Sequence, residues 1–217
     1  MAAFDYKKEY KNLYLPDTKP GIIDVQEMVF IMVDGKGDPN TSEAYKQALE
    51  VLYGLSYAIK MSKKGGAPPE GYFEYVVPPL EGLWWGEDGY FDGTNVTDKS
   101  KFCWTAMIRQ PEFVTREVFE FSKQALSKKK PDLDLSSARL ESFTEGLCAQ
   151  IMHIGPYDDE PETIGIMNRF VEESGYQNDM GGGRRHHEIY LGDPRKTAPE
   201  KLKTVIRHPI KAIHTAV

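Results

Sequence analysis

Residues 184–191 read RRHHEIYL, and the rest of the chain can be interpreted around them. Three glycines at 181–183 precede the segment and Gly-Asp-Pro at 192–194 follows it, so it is predicted to be a short β-strand bounded by turns. Side chains alternate between the two faces of a strand. One face carries His186, Glu188 and Tyr190, and the other carries His187, Ile189 and Leu191. The second face is expected to pack under helices, which leaves the Glu188 face on the opposite surface of the sheet.

Glu188 makes this strand a candidate site. A glutamate within a strand is most often a solvated residue on the polar face of an antiparallel sheet. If the surface is instead concave and lined by aromatic rings, Glu188 lies at the floor of a binding site. The strand alone leaves both interpretations open.

The composition is that of a soluble globular protein. The chain has 217 residues, enough for one core or for two small cores that share a sheet. No apolar run is long enough to span a bilayer, and charges near the N-terminus argue against a signal peptide. Only Cys103 and Cys148 are present, too few for a disulfide framework and without metal-ligand spacing. We therefore expect a cytoplasmic protein with no membrane partner.

The charge argues against a nucleic-acid partner. The formal net charge is −6, and the lysine clusters at 63–64 and 128–130 fall at predicted helix C-termini, where cations suit the helix dipole. A negative surface mildly favours a neutral or cationic small molecule.

The predicted elements follow one another in a repeated order. Residues 1–24 are predicted to be an N-terminal arm, and residues 25–217 a single domain. The first half has a strand at 27–33, a helix with a capping box of Asn40 and Glu43, segments at 72–77 and 80–85, and a strand at 102–109. The second half has segments at 138–145 and 147–154, a helix with a capping box of Asp159 and Glu162, the Glu188 strand and a strand within 205–216. A further helix, near 111–130, lies between the halves.

This shared order suggests a duplicated unit. Residues 73–77 resemble residues 187–191, which would put Glu74 at the position equivalent to Glu188. Whether Glu74 belongs to the site stays open. Two such units can join their sheets edge to edge, which removes two exposed edges and leaves a cleft along the joint.

Three motifs resemble a known family. They are PLEGLWW at 79–85, HIGPY at 153–157 and EIYLGDPR at 188–195. Together with the order of elements they resemble the GyrI-like small-molecule-binding proteins. The resemblance implies an α+β fold, a duplicated β-α-β-β unit with helices on one face of an antiparallel sheet and a ligand groove at the pseudo-twofold axis. It also implies an acidic residue at Glu188 and an aromatic lining drawn from Trp84 or Trp85, Trp104, Tyr157 and Tyr190.

Stand-alone family members with the Trp-Trp signature include a subgroup that resembles cyclopropanoid hydrolases, which open a strained ring by adding water inside an aromatic cage. That resemblance implies Glu188 as the residue that activates water, with its pKa raised by desolvation, and Tyr157 or Tyr190 as a hydrogen-bond donor to the substrate. His186 and Tyr53 complete the candidate ligand-binding set. Because Trp84 and Trp85 are adjacent, only one can line the cavity. A non-catalytic drug-binding or regulatory protein is the alternative. In either case we expect a monomer or a homodimer.

A metal site is the rival interpretation of His186, His187 and Glu188. Adjacent residues in a strand diverge, and zinc ligands commonly have a spacing that brings them to one side. Only His186 shares a face with Glu188. We therefore predict no metal and no other cofactor, and the run of three glycines lacks the residues of a phosphate-binding loop.

Overall fold

The computed structural model describes residues 3–65, 68–86 and 98–213. The helices are α1 (Tyr6–Glu9), α2 (Lys11–Tyr14), α3 (Glu43–Met61), α4 (Arg116–Lys129) and α5 (Glu160–Glu173). The strands are β1 (Gly21–Val25), β2 (Met28–Lys36), β3 (Leu80–Gly86), β4 (Phe102–Arg109), β5 (Arg139–Phe143), β6 (Gly146–Ile154), β7 (Tyr176–Asn178), β8 (His186–Tyr190) and β9 (Lys203–Ala212). Within these described ranges no helix combines the length and the apolar character that crossing a membrane would require.

The sheet has the predicted duplicated order. Its strands run β1-β6-β9-β8-β3-β4-β2-β5, all neighbours antiparallel, and β7 pairs with the end of β9. One half is β2-α3-β3-β4 and the other is β6-α5-β8-β9. The halves join where β3 pairs with β8, and the central pair of that joint is Gly82 with Glu188. The predicted α+β fold, with a duplicated β-α-β-β unit, is confirmed.

The outer strands exchange between the halves. β1 precedes β2 in the chain but pairs with β6, whereas β5 precedes β6 but pairs with β2. Only two residues separate Val25 from Met28, yet β1 is the first strand of the order and β2 is the last but one, so the sheet must curl until its two ends approach each other. The predicted boundary between arm and domain at residue 24 falls inside β1.

The inner face of the curl is filled by buried side chains and covered by the N-terminal segment. Phe30 and Met107 are buried there. The Tyr14 hydroxyl donates to Glu81 Oε1 at 3.4 Å, and Arg207 donates to the carbonyl of Leu13 at 2.9 Å. The predicted arm is therefore held to the sheet at Leu13 and Tyr14.

The longer helices α3 and α5 pack on the Glu188 face, so the expectation that they would cover the His187 face was wrong. Tyr45 of α3 contacts the Trp84 ring at 5.8 Å, and Thr163 of α5 hydrogen-bonds His153 Nδ1 at 2.8 Å. The inner face is instead taken by His187, whose Nε2 lies 3.0 Å from Glu81 Oε2. A buried histidine needs such a partner. That partner is remote in sequence and did not enter the prediction.

Two helix starts differ from the predicted capping boxes. Ser42, not Asn40, caps α3, because its Oγ accepts from the Tyr45 amide at 3.3 Å. Asp159 makes no capping side-chain hydrogen bond at the start of α5. The predicted extra helix is α4, capped by Thr115 and packed on α3.

The segment at 72–77 is not a strand of the sheet. Tyr75 makes a single bridge to Phe4, and Glu74 forms a surface ion pair with Lys63. The position symmetric with Glu188 is therefore Gly82, the residue directly opposite it in the joint, and not Glu74.

Candidate functional site

A cavity of about 1720 Å³ opens over the joint between β3 and β8. From the strands and the segment following β8 it is lined by Trp84, Phe102, His186, Glu188, Tyr190 and Asp193. From the helices and the turn before α5 it is lined by Tyr45, Leu49, Tyr53, Tyr157, Glu160 and Ile164. Drug-sized ligands usually occupy 300–1,000 Å³, roughly, so this cavity has room for a larger molecule.

Glu188 is held at the floor by two hydrogen bonds. Its Oε1 lies 2.8 Å from His186 Nε2, and its Oε2 accepts from the Tyr190 hydroxyl at 2.6 Å. The Trp84 indole N–H in turn donates to the Tyr190 oxygen at 2.9 Å. The Glu188 side chain is 15% exposed. The carboxylate is thus fixed in orientation while part of it faces the cavity.

Gly82 makes this arrangement possible. A Cβ built at Gly82 would lie 2.7 Å from Trp84 Nε1 and 3.3 Å from the Tyr190 hydroxyl oxygen. No side chain fits there without moving the indole. The glycine therefore leaves room for the hydrogen-bonded contact between Trp84 and Tyr190.

The pKa of Glu188 is lowered, so the expectation of a raised pKa was wrong. Burial favours the neutral acid, but hydrogen bonds from His186, Tyr190 and Glu160 favour the carboxylate and outweigh it. Glu188 is therefore ionised at neutral pH.

Glu160, at the start of α5, is a site residue that the sequence analysis missed. It is 6% exposed and lines the cavity beside Glu188. Burial, followed by the negative charge of Glu188, raises the pKa of Glu160 well above its usual value. The ionised form of Glu188 thus disfavours ionisation of Glu160, and the two carboxyl groups titrate as a coupled pair. Glu160 was overlooked because the residues around it were interpreted only as a helix cap.

His208, on β9, is a second missed residue. Its Nε2 lies 2.7 Å from His186 Nδ1, on the side of His186 away from Glu188. Burial and the neighbouring His186 hold the pKa of His208 well below its usual value, so it stays neutral. This contact fixes the orientation of the His186 ring.

The same cluster has the donors of a metal site. Glu160, His186 and Glu188 each offer one ligand atom, and these atoms lie within 4.8 Å of one another. The argument against a metal considered only residues on the strand, and α5 supplies a third donor. Chemically, the cluster can hold one divalent cation or one shared proton.

The structure brings together most of the predicted aromatic residues. Trp84, Tyr53, Tyr157 and Tyr190 line the cavity, and the Tyr157 and Tyr190 rings meet edge to face at 5.8 Å. Tyr45 and Phe102, which were not predicted, also contact the Trp84 ring.

Two predicted tryptophans lie elsewhere, and the described lining of the cavity includes neither. Trp85 points to the other face of β3, where the Arg185 guanidinium lies 4.9 Å from its ring. Trp104 shares the face of Trp84 but is only 1% exposed, because α3 covers it through Tyr45.

Comparison with known proteins identifies the family of the chain. Residues 18–211 match the family described as the GyrI-like small molecule binding domain. The chain belongs to this family. The match spans both halves of the GyrI-like sheet and the helices that flank the cavity. No curated protein matches the chain.

Solved structures from Listeria innocua are similar over nearly the whole GyrI-like chain. One is described as an uncharacterized conserved protein, with 50% identity and a TM-score of 0.90, covering 96% of this chain and 100% of that one. Another is described as a hydrolase, with 48% identity and a TM-score of 0.87, and it has the same coverage. The C-terminal domain of EcmrR, with 10% identity, a TM-score of 0.52, and coverage of 90% of this chain and 98% of that one, shares the fold alone.

Proposed function

We propose that this GyrI-like protein hydrolyses the strained ring of planar, apolar electrophiles, with cyclopropanoid DNA-alkylating compounds as the substrate class. The observation that carries the proposal is the ionised Glu188, fixed by His186 and Tyr190 at the floor of an aromatic cavity. The likeness to a protein described as a hydrolase, at 48% identity, supports a hydrolytic reaction. The free cysteines Cys103 and Cys148 suit a cytoplasmic location.

Glu188 is the general base of the proposed reaction. The carboxylate accepts hydrogen bonds from His186, Tyr190 and Glu160, which leaves about one of its roughly four lone-pair sites for a water molecule. The water oxygen bonds to the ring carbon, a ring carbon–carbon bond breaks, and its electron pair moves to the conjugated carbonyl oxygen. The water proton goes to Glu188. A carboxylate with a lowered pKa is a weak base, so ring strain has to supply much of the driving force.

Tyr157 is the proposed donor to the carbonyl oxygen. Burial and the nearby Glu188 charge raise the pKa of Tyr157 to about 12, so it keeps its proton at neutral pH. A neutral phenol can donate a hydrogen bond to the oxygen on which charge develops.

The aromatic walls position the substrate. Trp84, Tyr45 and Phe102 form one continuous set of ring contacts, with centroids 5.8 Å and 5.5 Å from the Trp84 ring. Flat rings bury a large area of a planar ligand and restrict its orientation. We propose Tyr53, His186 and Tyr190 as further ligand contacts.

A non-catalytic binder is the second candidate, and one observation favours it. An ionised carboxylate surrounded by aromatic rings also suits a planar organic cation, which cation–π contacts would stabilise. Such a protein would sequester its ligand without changing it.

Turnover separates the two candidates. The protein is incubated with an excess of a cyclopropanoid alkylator, and the ring-opened alcohol is measured per mole of protein. Many equivalents of alcohol support the enzyme, whereas binding without product supports the binder. Glu188→Gln should lower turnover by about 10²-fold or more, the usual scale for a lost general base. Glu74→Gln, at the surface, is the matched control and should leave turnover unchanged.

A further inference from the structure

The proposed reaction leaves the Glu160 proton unused. Glu160 enters the cavity from α5, whereas Glu188 enters from β8, so the two carboxyl groups approach the floor from different elements. Their ligand atoms lie within 4.8 Å of each other and of His186. A reacting molecule at this floor would contact a carboxylate and a carboxylic acid together.

One carboxyl oxygen of Glu160 is available to contact a ligand. Its Oε1 is buried and has no hydrogen-bond partner among the described residues. The neighbours that bear on Glu160 are Glu188, Thr204 and the more distant Lys99. An unpartnered polar atom in so buried a side chain is costly unless a ligand, a water molecule or an ion completes it.

We propose that Glu160 is a catalytic acid and that the paired carboxyl groups extend this enzyme's substrates to aryl epoxides, which it converts to diols. The inference rests on the proposed function, because it uses Glu188 as the same base. It adds a residue and a class of substrate that the ring opening of cyclopropanoids does not require.

The step balances without any further reactant. The water oxygen bonds to one epoxide carbon, and the bond between that carbon and the epoxide oxygen breaks. Glu188 takes a proton from the water, and Glu160 gives its proton to the departing oxygen. The product is a vicinal diol. Afterwards the proton on Glu188 passes to Glu160, which restores the starting pair.

The position of the leaving atom is what selects epoxides. In an epoxide the departing oxygen is bonded to the attacked carbon, so an acid beside the base can reach it. In a cyclopropanoid the electrons end on a carbonyl oxygen several bonds away from the attacked carbon, where a separate donor is needed, and Tyr157 is the proposed one. The two acids should therefore matter for different substrates.

The test compares styrene oxide with a cyclopropanoid alkylator on the same variants. Glu160→Gln should lower diol formation by about 10²-fold or more while changing cyclopropanoid turnover much less. Tyr157→Phe should show the opposite preference. Glu162→Gln is the matched control, because Glu162 lies two residues further along α5 and is exposed. It should change neither rate.

Several outcomes would overturn the inference. A wild-type enzyme that opens cyclopropanoids but leaves styrene oxide unchanged refutes it without touching the proposed function. Equal losses on both substrates in a folded Glu160→Gln variant reduce Glu160 to a residue that tunes Glu188. If neither substrate is turned over, the proposed function fails and the inference fails with it.

A labelling experiment on the wild-type protein tests the proposed step even if a variant does not fold. A single turnover of styrene oxide in ¹⁸O-labelled water should place the label in the diol, because water attacks directly. Unlabelled diol would mean that a carboxyl oxygen of the protein attacked the epoxide, and it would refute the proposed step.

Discussion

His187 should make the stability of this protein fall as the pH rises above neutral. The residue is fully buried on the inner face of the sheet. Its Nε2 lies 3.0 Å from Glu81, and its Nδ1 lies 3.0 Å from Glu145. The contact with Glu145 is an ion pair whose angle does not suit a hydrogen bond. Burial lowers the pKa of His187, but the two carboxylates outweigh it and raise the pKa to about 9. His187 is therefore an imidazolium at pH 7.

The size of the effect follows from that pKa. In the unfolded chain a histidine has a pKa of about 6.5, so the folded state binds the proton more tightly. The difference corresponds to about 3 kcal/mol, fully present below pH 6.5 and lost as the pH rises through about 9. The unfolding free energy therefore falls as the pH rises, as expected for a group whose pKa is raised by folding.

Urea unfolding at pH 6, 7, 8 and 9.5 measures this contribution. The wild type should lose about 3 kcal/mol of unfolding free energy relative to His187→Gln between the first and last pH. Added salt should change the result little, because the pair is buried. A constant difference between the two proteins, or a wild type that gains stability over this range, would show that His187 is neutral in the fold.

Three further predictions concern the site. Gly82→Ala should lower the unfolding free energy by about 1–3 kcal/mol through overpacking, because the added methyl group displaces the Trp84 indole. The same displacement should weaken ligand binding. Urea unfolding measures the first effect and a binding titration the second. Trp84→Ala should weaken binding of a planar ligand, measured by fluorescence titration, whereas Trp85→Ala should leave the affinity unchanged, and equal losses would contradict the assigned faces. Dialysis against a chelator should leave hydrolysis unchanged, because the proposed reaction uses Glu188 to activate the water, and added Zn²⁺ should inhibit by binding the Glu160, His186 and Glu188 cluster; a loss of turnover that Zn²⁺ restores would reverse this assignment.

The sequence predicted those parts of the site that a local pattern determines. Alternation along β8 put His186, Glu188 and Tyr190 on one face, and the structure joins these three by hydrogen bonds at Glu188. The same alternation required Trp84 and Trp85 to diverge. Periodicity and turn residues also located most strands and the three longer helices, because these depend on neighbouring residues.

The parts that the sequence could not predict depend on contacts between distant residues. Glu160 reaches Glu188 only because α5 packs on β6 and β9, beside β8 in the sheet, and His208 meets His186 only because β9 pairs with β8. Neither contact leaves a periodic signal. The pKa of Glu188 was mispredicted because only desolvation was considered, whereas His186 and Tyr190 on the same face of β8 and Glu160 on α5 donate hydrogen bonds that favour the carboxylate.

The joint between the two halves explains how a symmetric scaffold produces an asymmetric site. Glu188 and Gly82 occupy equivalent positions across the pseudo-twofold axis, so the repeat places one carboxylate at the centre of the cavity and not two. A second glutamate at position 82 would set two like charges side by side on the same face, and it would displace the Trp84 indole as well. The second carboxyl group comes instead from Glu160 on α5, whose pKa is raised by burial and by the charge of Glu188. In the proposed reactions this asymmetry supplies one base and one acid from a fold whose halves are otherwise alike, and the Trp84 ring, joined to Glu188 through Tyr190, positions a planar ligand.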